Sequence, residues 1–172
     1  MRKASIAFVA VAMLVFAGTA FAGQAGHAKL WEYDPGKTRT VVAKWTPDGL
    51  ALQKNTATST NAAAGAEVRG FEGVTLESLS FEMQDGEYCG AGAPRFNVST
   101  AAGTSFLGCI YGEKSNAGNG WTKVTFDGDE VGAAAAFGPA INGLDIVMDE
   151  QGQTLLRNIK VNGVEIVNFS NN

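Results

Sequence analysis

Apolar side chains recur at every second residue in five stretches of this chain: Leu79, Phe81 and Met83; Phe96 and Val98; Val124 and Phe126; Leu144, Ile146 and Met148; Ile159 and Val161. A period of two sends neighbouring side chains to opposite faces of a strand, so each stretch predicts a strand with one buried face. The intervening Ser78, Ser80 and Glu82 mark a solvated face for the first of them. Each run is short and ends at Gly, Asn or Asp, and 22 glycines punctuate the 172 residues. Short strands joined by tight turns predict an all-β fold, specifically a single-domain antiparallel jelly-roll β-sandwich of roughly eight to ten strands.

Further strands are expected from Lys29 to Tyr33, Thr38 to Trp45 and Leu50 to Lys54, with Pro35-Gly36 and Pro47-Asp48-Gly49 as turns. The Thr, Ser, Asn and Ala run from Asn55 to Gly65 reads as a loop inside the domain. Ala101-Ala102-Gly103 predicts a hairpin with Thr100 opposite Thr104, which would set Arg95 across from Cys109. Helix is expected only as a turn around Val131 to Phe137.

The first 22 residues carry Arg2 and Lys3, an apolar run from Ile6 to Phe16, and Ala20-Phe21-Ala22. That order is a secretory signal peptide, so the expected mature chain is 23–172 and its expected location is secreted or periplasmic. Without the leader there are 11 basic and 17 acidic residues, a net charge of −6, which disfavours a nucleic-acid partner. No later apolar run reaches the roughly 20 residues of a spanning helix, so no membrane insertion is expected. Cys89 and Cys109 form an even pair in an oxidising compartment and predict a disulfide.

The segment Cys89-Gly90-Ala91-Gly92-Ala93-Pro94-Arg95-Phe96-Asn97-Val98, followed by Phe106-Leu107-Gly108-Cys109 and Gly120-Trp121-Thr122, resembles a group of secreted bacterial proteins. The run from Lys54 to Ala66 looks similar to theirs as well. The resemblance implies a jelly roll of the galactose-binding or carbohydrate-binding-module type. Leu155 to Gly163 looks like the last strand of such modules, which often reads Asp-Asn-Ile-x-Val-x-Gly. Arg157 stands where that Asp would be, so no role of the Asp is carried over.

Candidate ligand-binding residues are Trp121, Tyr88, Tyr111 and Arg95. With Val124 and Phe126 inward, Trp121 projects from the opposite strand face, where an indole offers a flat platform for a sugar ring. Tyr88 and Tyr111 flank the cysteines, and Arg95 offers a planar donor fork. The structural alternative pairs Arg95 with Glu87 or Asp85 and packs the tyrosines along the disulfide. Trp31 and Tyr33 share a face, and Trp45 shares parity with Val41 and Ala43; core burial is expected for Trp31 and Trp45 but not for Tyr33.

Asp127, Asp129 and Glu130 could hold a structural calcium, but the spacing of a calcium loop is missing and no cofactor is expected. His27 is the single histidine, which disfavours a triad or multi-His metal site. The expected function is a secreted non-catalytic binding module for carbohydrate or a surface glycan. The alternative is a structural or adhesion protein of the envelope or matrix, with a protein partner.

Overall fold

The computed structural model describes residues 26–130 and 132–168; the leader expected over residues 1–22 lies outside them. Twelve strands form one curled sheet: β1 (Gly26–Tyr33), β2 (Val41–Thr46), β3 (Gly49–Lys54), β4 (Ala63–Arg69), β5 (Leu79–Gln84), β6 (Arg95–Thr100), β7 (Gly103–Gly108), β8 (Glu113–Gly118), β9 (Trp121–Phe126), β10 (Ile141–Met148), β11 (Gly152–Val161) and β12 (Val164–Asn168). No α-helix occurs among the described residues. Short 3-10 turns at Cys109–Tyr111 and Ala133–Ala135 are the only helical segments there, the second within the expected helical turn.

The sheet has two arms. One runs β7-β6-β10-β4-β1, and the other runs β8-β9-β5-β11-β3-β2. β12 joins them, lying antiparallel to the end of β11 and parallel to the start of β1. The expectation of a purely antiparallel arrangement is thereby corrected, because the parallel pair forms between the two ends of the described chain. It also explains why β1 starts at Gly26, three residues before the sequence expectation.

All five alternating runs place their apolar side chains inward. Phe96 from one arm meets Phe81 and Phe126 from the other at ring-centroid distances of 5.6 and 5.8 Å, so the arms close on a shared aromatic centre. Tilted and edge-to-face contacts of this kind add to plain area burial. Trp45 packs against the same core, half-buried.

Local turn chemistry sets several registers. Asn119-Gly120 and Asn162-Gly163 sit at positive φ in two-residue loops between β8 and β9 and between β11 and β12. Asn-Gly suits such primed turns because both residues tolerate the left-handed region. The β6–β7 hairpin differs from expectation by one residue: Thr100 faces Gly103, Ser99 faces Thr104 and Arg95 faces Gly108. Only Ala101 and Ala102 make the loop, and Gly103 enters the strand at φ +131°.

The expected loop from Asn55 to Gly65 also ends earlier, at Ala62. Ala63, Ala64 and Gly65 open β4, where the inward Ala64 is fully buried.

Candidate functional site

Cys89 and Cys109 are joined by the expected disulfide, and it ties the glycine loop to the 3-10 turn after β7. Gly90 N–H donates to the Ala93 carbonyl, and Ile110 N–H donates to that of Gly90. Two expected ligand residues meet at this loop without meeting each other directly. The Tyr88 hydroxyl donates to Glu150 Oε2 at 2.9 Å, which raises the phenol's pKa, with some burial adding to the effect. Arg95 donates to the Gly92 carbonyl, to Asn97 Oδ1 and to Asp149, and its guanidinium lies 5.5 Å from the centre of the Phe106 ring. Its acidic partner is therefore Asp149, not Glu87 or Asp85. Tyr111 is exposed on the neighbouring 3-10 turn.

Trp121 stands apart from these three, and it is not an open platform. Parity does send it to the outer face of β9, but the residue is only 8 % exposed. The Arg157 guanidinium lies 3.9 Å from the ring centre, and Arg157 Nε donates to Glu82 Oε2 at 2.8 Å, which anchors the cover. Burial pushes the Glu82 carboxyl up, but hydrogen bonds from Asn158 and Arg157 outweigh it and leave the pKa lowered.

An aromatic platform occurs instead on the outer face of the other arm. Strand register sets Lys29, Glu67, Asp145, Asn97 and Phe106 in one row across β1, β4, β10, β6 and β7. Four strand spacings make that row about 19 Å long. The adjacent row contains Trp31, Gly65, Val147, Arg95 and Gly108.

Trp31, expected in the core, instead lies across this outer face, because the neighbouring Gly65 leaves room for the ring there. A Cβ at position 65 would overlap its ring, and its Nε1–H donates to Asp145 Oδ1 at 3.0 Å, two strands away. Gly65 thus lets the indole rest on the backbone, while the residue keeps partial exposure. Tyr33, two residues on, is exposed on the same face and accepts a hydrogen bond from Asn61.

Two carboxyls lie directly opposite each other in this row. Glu67 is held below its usual pKa by a hydrogen bond from Arg69 that outweighs partial desolvation, with Arg69, Lys29 and His27 adding favourable charge. Asp145 is shifted the other way: burial raises its pKa, the Trp31 bond opposes this, and the Glu67 charge adds to the rise. The face therefore combines one compensated carboxylate, one uncompensated one, an amide and an aromatic plate.

A concavity of about 290 Å³ crosses the outer face of β2, β3 and β11. Gln53 bridges Asn55 and Gln153, and Gln153 donates to Glu87, so its amides are mutually engaged. In the acidic turn the Glu130 carboxylate accepts the Asp127 and Gly128 N–H groups. No group of three or more metal-binding side chains occurs among the described residues.

One further buried group escaped the sequence reading. Lys54 is 1 % exposed, and its ammonium donates to the carbonyls of Thr58, Thr60 and Asp149 at 3.0, 2.7 and 2.6 Å. Its signal was parity: Leu50, Leu52 and Lys54 share the inward face of β3. Asp145 had a similar signal, lying at the outward position between Leu144 and Ile146.

No helix among the described residues is long and apolar enough to cross a membrane. Comparison of the chain with protein-family models, curated proteins and solved structures finds no match.

Proposed function

We propose that this protein is a secreted or periplasmic, non-catalytic binding module for carbohydrate or a surface glycan, its curled sheet a variant of the jelly-roll sandwich. The ligand lies on the outer face of the β7-β6-β10-β4-β1 arm. The observation that carries this reading is the Trp31 ring resting over Gly65, with its N–H held by Asp145. A sugar ring stacked on the indole would reach Asp145 and Asn97 along the row and Tyr33 beside it, combining an apolar plate with a few fixed polar groups.

The test is affinity electrophoresis and calorimetry against a panel of soluble polysaccharides. Trp31→Ala is expected to weaken the retained ligand more than tenfold, and Trp121→Ala to change little once fold is verified. Failure of every polysaccharide to retard the parent protein, or equal retardation of Trp31→Ala, would refute the reading.

The second reading, an adhesion or matrix protein, draws on a different feature. Phe106, Ile110 and Tyr111 are 57, 53 and 45 % exposed along the β7 edge and the turn that follows it. Exposed apolar side chains close together mark protein contact surfaces. Concentration-dependent oligomers that Phe106→Ser disperses, in a protein with no sugar affinity, would favour it.

A further inference from the structure

The charges around Trp31 say more about the ligand than its being a glycan. Glu67 has its countercharge in Arg69, at 2.6 Å, and faces Lys29 across the strand pair. Arg95 is engaged by Asp149. His27 lies on the same strand face as Lys29, opposite Arg69. Asp145 differs from all of these. Its one side-chain hydrogen bond among the described residues comes from the Trp31 N–H, and the charge opposite it in the register is Glu67, of the same sign. An uncompensated, half-buried carboxylate at the edge of an indole is a complementary setting for an ammonium group. The carboxylate supplies a charge-assisted acceptor and the ring face attracts a cation.

We infer that the ligand is an amine-bearing glycan, a chain containing unacetylated hexosamine, whose ammonium group sits against Asp145 while its ring stacks on Trp31. This rests on the carbohydrate reading above and narrows it to one charge class. Neutral sugars would share the stacking but leave Asp145 without a countercharge, and acidic sugars would meet repulsion from it. Burial raises the Asp145 pKa, and the Glu67 charge adds to the rise.

The experiment is calorimetry with the oxidised, mature protein. The probes are glucosamine oligosaccharides and N-acetylglucosamine oligosaccharides of equal length, in buffer acidic enough to protonate the free amine. The parent is expected to bind the free-amine series at least tenfold more tightly, with the preference shrinking as salt is added. Asp145→Asn keeps an acceptor for the Trp31 N–H and is expected to remove the preference while retaining Trp31-dependent stacking.

Equal affinity of the parent for the two series overturns the inference and leaves the carbohydrate reading standing. So does a preference that survives in Asp145→Asn. Failure to bind either series, together with failure of the whole polysaccharide panel, overturns both. The comparison in the parent decides the matter even where the variant folds poorly.

Discussion

Replacing Lys54 by Met isolates what one buried ammonium contributes to this fold. The side chain keeps an unbranched four-atom stem and loses the terminal ammonium with all three N–H donors, so the carbonyls of Thr58, Thr60 and Asp149 lose a partner at once. Each bond to a charged donor is worth about 1.5–3 kcal/mol net, and an orphaned buried acceptor costs about 1–3 kcal/mol. Against this stands relief from burying the charge itself, several kcal/mol in real proteins. Three orphaned carbonyls at the lower end of that cost leave a loss of about 3 kcal/mol.

In a chain of this size a loss of 1 kcal/mol lowers Tm by about 2–4 °C, so Lys54→Met should fall by about 6–12 °C. Thermal and urea unfolding followed by circular dichroism would measure it. Native-state hydrogen exchange should also show faster opening of residues 55–62, because the ammonium, together with the Gln151 N–H bond to Thr58 Oγ1, ties that loop to the turn before β11. A fall of less than about 2 °C, with unchanged exchange in the loop, would refute the reasoning.

Other perturbations follow from the same contacts. Replacing Cys89 and Cys109 by Ala opens a loop of sequence separation 20 and should cost about 3 kcal/mol by loop entropy, read as a lower urea midpoint; an unchanged midpoint would contradict it. Arg157→Ala should uncover Trp121, raising iodide quenching of tryptophan fluorescence and costing about 1 kcal/mol through the lost cation–π contact; unaltered quenching would show that the guanidinium is not the cover.

The Asp145 carboxyl, raised above 3.8 when folded, binds its proton more tightly in the native state, so its contribution to stability falls as pH rises through the raised value. Asp145→Asn should therefore gain on the parent at neutral pH and lose that advantage on acidification; a variant whose relative stability improved in acid would reverse the sign.

The strands were legible because burial of one face imposes a period of two, and Leu79-Phe81-Met83 or Leu144-Ile146-Met148 cannot satisfy it by accident. The disulfide was legible because two cysteines allow one pairing. The parallel contact of β1 with β12 carries no local signal: it joins Gly26 to Ile166 and follows from how the arms close. The hairpin register turned on whether Gly103 belongs to loop or strand, a backbone choice that composition does not decide. The Asn-Gly pairs at 119–120 and 162–163 carry a turn signal that the strand expectations did not draw on, and the loops found fall there.

The site divided along similar lines. Parity placed Trp121 on the outer face correctly, but the covering Arg157 comes from β11, 36 positions away in sequence. Trp31 and Asp145 are separated by 114 positions, and only the order β1-β4-β10 brings them together. Gly65, read as part of a loop, is the residue that lets the indole lie across the sheet.

The ligand face is tested most directly by the indole N–H resonances of the three tryptophans, Trp31, Trp45 and Trp121, during titration with glucosamine oligosaccharide. Ligand stacked on the β7-β6-β10-β4-β1 arm should shift the Trp31 signal progressively to saturation while those of Trp45 and Trp121 hold their positions. Saturable binding that leaves the Trp31 resonance unmoved would contradict the account.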